Sequence, residues 1–310
     1  MLTESYHYTP LYFTLIKDGK LQALLPLMEV KSILTGKRGV SLPFSDYCEP
    51  IIDGDLSFQD VFNHLIKLGR ERNWKSIDIK GGKDLFGDTL ASSNLYIHNL
   101  DLTQDEDQLF SQLRDSTRRN IQKADRENVE VEICTSDDAM KEFYRLNCIT
   151  RKKHGIPPQP RFFFRKLQES IISKGFGFTA LASYNKKVIA GAVFFHLGNK
   201  ALFKYGASDN AFHHLRPNNL TLWEAIKWYS RNGYKTLSFG RTEEGFEGLR
   251  QFKTGWSVRE ETIKYYTYDL KKDTFVSGGP ELSDRLHKIF QSMPLPLSRI
   301  IGTIFYKHAG

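Results

Sequence analysis

The same order of elements, a hairpin followed by a loop, a helix and a strand, occurs twice in this chain and constrains its fold most. In the later occurrence, the strand-like runs VIAGAVFFHL and KALFKYGAS are joined at Gly198-Asn199, a dipeptide that favours a tight hairpin turn. In the earlier occurrence, the runs LYFTLIK and KLQALLPLM flank Asp18-Gly19, which favours the same kind of turn. The chain is therefore predicted to be α/β (α+β).

The later helix is indicated by its apolar spacing and by residues suited to its ends. One face repeats at i, i+3, i+4 and i+7, and is formed by Leu222, Ala225, Ile226 and Tyr229. Asn218, Asn219 or Thr221 is expected to cap the first free N–H groups, with Thr221 and Glu224 forming a capping box. Gly233 is expected to end the helix, and YKTLSFG follows as a strand.

The earlier unit has matching signals and a short sequence likeness to the later one. Ser57 and Asp60 form a capping-box pattern before the helical stretch FQDVFNHLIKLGRERN, and the strand SIDIK follows. RNWKSIDIKG, from Arg72, aligns with RNGYKTLSFG, from Arg231, with one gap. Because the likeness falls at the same place in both units, we predict two related halves, with the cleft between them as the ligand site.

The segment between the two units is polar and begins acidic but ends basic. NLDLTQDEDQLFSQLRDSTRRNIQKADREN is predicted to form a long surface helix, broken near Ser116. VEVEICT is then an alternating strand, and two helices follow, separated by IPPQP.

Composition excludes several classes of protein and points to acidic partners. No apolar run is long enough to span a membrane, and no signal peptide is visible, so a cytoplasmic protein is predicted. The three cysteines show no metal-ligand spacing, so they are expected to be reduced, and no metal site is predicted. The net charge of +8 favours anionic partners, and basic residues cluster in RDSTRRNIQKADR and between Arg151 and Lys166.

Several of these stretches together resemble the FemAB/FemX peptidyltransferase superfamily, in the short form found with exopolysaccharide or exosortase systems. They are SLPFSDYCEP, RDSTRRNIQKADRENVEV, FYRLNCITRKKHGIPPQPRFF, VIAGAVFF, LFKYGASDNAFHHLRPNNLTLWEAIKWYSRNGYKTLSFG and GLRQFKTGW. The resemblance implies two tandem GNAT-like domains, each a mixed twisted sheet flanked by helices, with a C-terminal helical tail. The corresponding ranges are 1–102, 103–270 and 271–310, and the first half lacks the helix and strand that usually precede its hairpin.

The resemblance also implies an enzyme that forms an amide. Members typically transfer an aminoacyl group from aminoacyl-tRNA to an amino group of a peptidoglycan precursor, so no cofactor is expected beyond the donor. Acyl-CoA is the alternative donor, but the glycine-rich loop that accepts pyrophosphate in acetyl-CoA enzymes is replaced here by HLRPNN. A polysaccharide amine is an alternative acceptor, and a non-catalytic RNA- or anion-binding protein on the same fold stays open as well.

Nine residues are predicted to form the site. By resemblance, Phe252 and Lys253 are catalytic, and the glycines at 248 and 255 are expected to let the backbone turn and aim Lys253 into the cleft. The substrate-binding candidates are Asp46, Tyr47, Arg118, Arg119, Arg151, Tyr205 and Asn218. Each has a structural alternative: the arginines can form a solvated or helix-terminal surface, and the aromatic rings can belong to a core.

The C-terminal stretch ELSDRLHKIFQSMPLPLSRIIGTIFYKHAG has apolar residues at helical spacing, interrupted by Pro294 and Pro296. Two interpretations stay open. The tail is a helix packed on a domain, or it rests on the inner face of the membrane, because Arg299 and Lys307 flank its second apolar cluster.

Overall fold

The computed structural model describes residues 1–53, 57–81, 85–278 and 284–310, the last range without the side chain of Asp284. Residues 279–283 of the predicted tail lie outside the described residues. The chain forms two compact units: a larger one of residues 97–261 and 282–303 with Met1, and a smaller one of residues 2–96, 262–281 and 304–310. The predicted ranges 1–102, 103–270 and 271–310 divide the chain into two related halves and a tail, whereas the two units are defined by compactness. The predicted ranges therefore stay a prediction.

Strands and helices alternate along the chain. The described strands are β1 Thr9–Lys17, β2 Lys20–Ser32, β3 Gly36–Val40, β4 Ile51–Ile52, β5 Ser76–Lys80, β6 Ser93–Asp101, β7 Glu130–Cys134, β8 Gly177–Tyr184, β9 Lys187–Leu197, β10 Lys200–Ser208, β11 Thr236–Glu243, β12 Arg259–Asp269 and β13 Thr274–Val276. The described α-helices are α1 Leu2–Tyr6, α2 Phe58–Glu71, α3 Glu106–Gln112, α4 Asp115–Arg126, α5 Asp137–Lys153, α6 Arg161–Ser170, α7 Pro217–Arg231, α8 Glu247–Thr254, α9 Asp284–Ser292 and α10 Leu295–Phe305.

The smaller unit is a mixed sheet covered by α2. Its strand order is β1-β2-β3-β5-β12, with β4 beside β2 and β13 beside β12, and β3 and β5 are parallel. The predicted first hairpin is confirmed, because Lys17 pairs with Lys20 and both turn residues, Asp18 and Gly19, have positive φ. Ser57 caps α2 by accepting from the N–H of Gln59, and the helix buries a Phe, Val and Leu face on the sheet.

The larger unit is also a mixed sheet, in the order β6-β11-β10-β9-β8-β7. The predicted hairpin of β9 and β10 is confirmed, with Leu197 paired to Lys200 across Gly198-Asn199. Helix α7 lies over this sheet, and the four residues of its predicted apolar face are all buried. A mixed α/β fold with helices on its sheets is thus confirmed, and the tail is helical, as predicted.

The two aligned stretches lie at equivalent helix ends. After α2, the N–H of Trp74 donates to the carbonyl of Gly69 and Asn73 has φ +56; after α7, Tyr234 donates to Tyr229 and Gly233 has φ +76. Both helices therefore end in a Schellman motif with a left-handed residue. By structure, Arg72 corresponds to Asn232 and Asn73 to Gly233, so the two stretches align without the gap.

Two local predictions were wrong. Helix α7 begins at Pro217 after Arg216, which is left-handed and provides no side-chain cap, so Thr221 lies inside the helix and donates to the carbonyl of Pro217. Proline suits the first helical position because the N–H that it lacks would have no partner within the helix. The stretch containing Phe252 and Lys253 was predicted to turn at its glycines, but it forms the helix α8.

The sequence predictions also concern the cysteines and the length of the apolar segments. Cys48, Cys134 and Cys148 are free thiols. Within the described part of the chain, no helix is both long and apolar enough to cross a membrane.

Candidate active site

Lys253 lies in the last turn of α8, and its side chain is buried, with 4% of its surface exposed. Its ammonium group donates to the backbone carbonyls of Gly240, at 3.0 Å, and Arg241, at 2.7 Å, both in β11. The neighbouring Phe252 is half-buried and packs against Trp256 at the edge of the core. The helix therefore fixes Lys253 beside the carboxyl-terminal half of β11.

Several buried or half-buried polar residues lie near this lysine, and we call His98, Thr242, Arg250, Lys253 and Glu260 the Lys253 cluster. His98 is fully buried in β6, with its Nε2 3.2 Å from Thr242 Oγ1 and its Nδ1 3.5 Å from Glu260 Oε2. Arg250 binds Glu260 through two hydrogen bonds of 2.9 and 2.7 Å. Apart from Lys253, none of these residues was predicted: Arg250 lies in the stretch GLRQFKTGW but was not singled out, and His98, Thr242 and Glu260 belong to no motif that suggested a site.

The electrostatics of the cluster keep His98 neutral. Burial, and next the positive charge of Lys253, lower the pKa of His98 to about 4. The paired guanidinium of Arg250 lowers the pKa of Glu260, so this carboxylate stays charged at neutral pH. At pH 7 the cluster therefore contains two cations, one carboxylate and a neutral imidazole.

Strands β10 and β11 are parallel and pair only at their beginnings. Their pairing joins Lys200 to Thr236 and ends at Leu202 and Ser238. A register shift between Phe203 and Tyr205 marks a bulge in β10 at the point where the pairing with β11 ends. The separated ends of the two strands lead to the start of α7 and to α8, so the candidate site is formed at this opening.

Asn218 lies at the start of α7, in a second polar group. Its Nδ2 donates to Ser208 Oγ at 3.2 Å, and Ser208 Oγ is 2.7 Å from His213 Nε2. Burial lowers the pKa of His213, so its neutral ring can accept a hydrogen bond from the Ser208 hydroxyl. The part of the chain that the structure describes gives His213 no hydrogen bond to a carboxylate, so the group lacks the acid of a catalytic triad.

The end of α5 is joined to this group. Ser208 N–H donates to Thr150 Oγ1 at 2.9 Å, and Lys153 donates to Asn210 at 2.7 Å. Arg151 lies half-buried in the same helical turn. The structure thus brings the turn that carries Arg151 close to Asn218.

The other basic candidates lie on α4. Arg118 binds the carboxylate of Asp115 and the carbonyl of Ser111, whereas Arg119 is exposed. The start of α4 contacts the end of α8, because the N–H of Arg114 donates to the carbonyl of Gly255 at 3.1 Å. The helix that carries these arginines is therefore packed against the helix that carries Lys253.

Tyr205 lies half-buried in β10, where its ring packs near Phe143 and Phe164. Asp46 and Tyr47 belong to the smaller unit, in a loop held to β5 and β12: the carbonyl of Asp46 accepts from the Tyr265 hydroxyl, and Cys48 N–H donates to Lys80. Tyr47 is exposed. The role of each of these three residues in substrate binding stays a prediction.

A separate groove lies between α5 and α6. It is lined by Asp137, Met140, Lys141, Tyr144, Arg161, Phe164, Arg165 and Gln168. None of the predicted site residues lines this groove. Within the described ranges, no group of three His, Cys, Asp or Glu residues could hold a metal ion.

Comparison with known proteins agrees with this architecture. Residues 111–253 match the family described as acetyltransferase (GNAT) domain. Among solved structures, FemX superposes with a TM-score of 0.63 at 17% identity, covering 86% of this chain and 89% of FemX. A tandem GNAT protein from the clavulanic acid biosynthesis pathway superposes with a TM-score of 0.53 at 8% identity, covering 87% of this chain and 83% of that one. At these identities the likeness shows the fold alone.

One curated relative is closer in sequence. The chain is 30% identical over 118 residues to the lipid II:glycine glycyltransferase of Staphylococcus haemolyticus (strain JCSC1435). The match covers 36% of this chain but only 28% of that relative.

Residues 111–253 therefore form a domain of the GNAT acyltransferase type, within a chain that has the fold of a tandem GNAT protein. The partial sequence match to a lipid II:glycine glycyltransferase and the superposition on FemX support the predicted likeness to the FemAB/FemX group.

Proposed function

We propose that this protein transfers an aminoacyl group from aminoacyl-tRNA to an amino group of a peptidoglycan-like cell-envelope precursor, forming an amide. The observation that carries the proposal is the 30% identity to a protein named lipid II:glycine glycyltransferase. Its name describes transfer of glycine to lipid II, a cell-wall precursor. The same chemistry fits an acyltransferase fold that needs no redox or metal step to form an amide.

The reaction replaces an ester by an amide. The acceptor nitrogen attacks the ester carbonyl of the aminoacyl group, which forms a C–N bond and places negative charge on the carbonyl oxygen. The C–O bond to the tRNA ribose then breaks, and the amine loses a proton while the ribose oxygen gains one. A positive group near the developing oxyanion lowers the barrier mainly in the transition state.

Lys253 is our candidate for that positive group. It is held by two carbonyls beside the opening between β10 and β11, so its position is fixed before substrate binds. The same two hydrogen bonds also tie α8 to β11, which gives Lys253 a structural role whether or not it contacts substrate. The two roles differ in their effect on kcat.

The start of α7 favours a donor other than acyl-CoA. Arg216 and Pro217 occupy the positions where a pyrophosphate site needs bare backbone N–H groups, and proline has none. The basic residues of α4 and the end of α5 suit the phosphates of tRNA instead. Because charged tRNA is made in the cytoplasm, we place the reaction there.

The test is mass spectrometry of amine acceptors incubated with the protein and either charged tRNAs or acyl-CoAs. Acceptors include lipid-linked peptidoglycan precursors and amine-bearing polysaccharides. We expect a product one amino-acid residue heavier, with charged tRNA only. Product from acyl-CoA alone would overturn the donor, and a lack of product in every combination would favour a binding protein.

A further inference from the structure

Helix α10 packs on the larger unit through its smallest residues. Ser298 and Gly302, four residues apart, are both buried. A Cβ atom at Gly302 would lie 2.0 Å from the carbonyl oxygen of Pro158, so the helix backbone lies directly against the Pro157–Pro158 segment. Successive residues are about 100° apart around a helix, so this contact fixes which face points outward.

Three of the six large apolar residues of α10 lie on its outward face, whereas Leu295, Ile301 and Phe305 are half-buried on the inward side. Leu297, Ile300 and Ile304 are between 47% and 59% exposed. A helix that packs on a globular protein normally buries such a face and exposes its small and polar residues. Packing on its own unit therefore does not explain the apolar face of α10.

Helix α9 likewise exposes aliphatic residues to solvent. Two of its inward contacts are polar, and Phe290 is half-buried: His287 Nδ1 lies 3.3 Å from the carbonyl oxygen of His154, and Gln291 donates to the carbonyl of Lys153 at 3.1 Å. Leu286 and Ile289, on the other side of the helix, are exposed. Two neighbouring segments of the chain thus present aliphatic side chains to solvent.

The charged side chains of α9, α10 and the residues after them are mostly basic. Residues 284–310 contain four Lys or Arg residues, Arg285, Lys288, Arg299 and Lys307, and one acidic residue, Asp284. All four lie at exposed positions, and the guanidinium of Arg299 also lies over the ring of Tyr144. Exposed aliphatic residues among cations are the pattern of a helix that lies in the surface of an anionic bilayer.

We propose that α9 and α10 rest on an anionic lipid bilayer, with Leu286, Ile289, Leu297, Ile300 and Ile304 inserted among the lipid headgroups. Neither helix is long enough to cross a bilayer, so the contact is peripheral. A second copy of the chain fits less well, because two equally basic faces would repel each other. The proposal rests on the tail alone and does not depend on the proposed transferase activity.

The test is flotation of the full-length protein with vesicles of phosphatidylcholine, with and without phosphatidylglycerol. The test variant is Leu297→Gln/Ile300→Gln/Ile304→Gln. The matched control is Ile33→Gln/Leu34→Gln/Leu197→Gln, which removes three exposed aliphatic residues from the turn after β2 and from the end of β9. Circular dichroism checks that each variant is folded.

The parent and the control should float with anionic vesicles, and the partition coefficient of the test variant should fall about a hundred-fold, because interfacial binding follows the buried apolar area. Raising the salt concentration should weaken binding of the parent. A folded test variant that binds like the parent would overturn the proposal. A parent that fails to float but dimerises through this face in buffer would overturn it in favour of a second copy.

Discussion

His98 should make the stability of this protein depend on pH in a predictable direction. Its pKa is about 4 in the folded protein, below the value of about 6.5 expected in the unfolded chain. Between these two values the unfolded chain binds the proton more tightly, so stability is complete above the unfolded pKa and is lost as the pH falls toward 4. Protonation in the folded state would place a cation beside Lys253 and Arg250, opposed only by Glu260.

The size of this effect follows from the two pKa values. Lowering the pH from 7 to 5 should cost the folded state about 2 kcal/mol through His98 alone, since each unit of pKa difference corresponds to about 1.4 kcal/mol. Glu260 adds little in this range, because Arg250 keeps it ionised. His98→Gln removes the titrating group, so its stability should change with pH by about 2 kcal/mol less than that of the parent.

The assay is urea unfolding followed by tryptophan fluorescence at pH 7 and pH 5. Three of the four tryptophans, Trp223, Trp228 and Trp256, lie in the same unit as His98, so fluorescence reports mainly on that unit. His64→Gln is the control, because His64 is exposed on α2. If His98→Gln and the parent lost the same free energy of unfolding on acidification, the assignment of a buried neutral histidine would be refuted.

Two other substitutions have clear expectations. Lys253→Met should lower kcat about 100-fold with little change in KM if Lys253 stabilises the oxyanion, and should lower the free energy of unfolding by about 2–4 kcal/mol through two lost hydrogen bonds. Unchanged kcat with the same loss of stability would make the lysine purely structural. Gly302→Ala should destabilise the protein because its Cβ would meet Pro158, whereas Gly248→Ala, in α8 with open space around its Cβ, should stabilise it by about 1 kcal/mol. Equal shifts of Tm for these two alanine variants would contradict the close contact of α10.

Local chemistry explains which parts of the fold could be predicted. Asp18-Gly19 and Gly198-Asn199 identified both hairpins, because a two-residue turn needs backbone conformations that these residues accept readily. The capping pattern at the start of α7 was misleading. Arg216 takes a left-handed conformation there, held by its hydrogen bond to the carbonyl of His213, and tertiary structure decides this rather than local preference.

The Lys253 cluster shows why the site could be predicted only in part. Lys253 was found by resemblance, but the helix that carries it was missed because two glycines suggested a turn. His98 and Thr242 are 144 residues apart in the chain and meet only in the folded sheet. His98 lies between Ile97 and Asn99 in β6, so its sequence context does not separate a buried polar group from an ordinary surface position.

The tail gave a different result. Its helical spacing predicted a helical tail, but that spacing does not show which face of α10 is buried. Only the close approach of Gly302 to Pro158 shows that the small face is the buried one. The exposed aliphatic face is thus a property of the folded protein that the sequence pattern left open.

The proposed aminoacyl transfer is tested most directly by following an isotopically labelled amino acid from tRNA to the acceptor. The purified protein is incubated with tRNA charged with a heavy amino acid and with lipid-linked cell-envelope precursors, and the products are analysed by tandem mass spectrometry. We predict the heavy residue in amide linkage to the amino group of the acceptor, formed only when the protein and the charged tRNA are both present. Acceptors that stay unlabelled with charged tRNA but gain an acyl group from acyl-CoA would contradict the proposal.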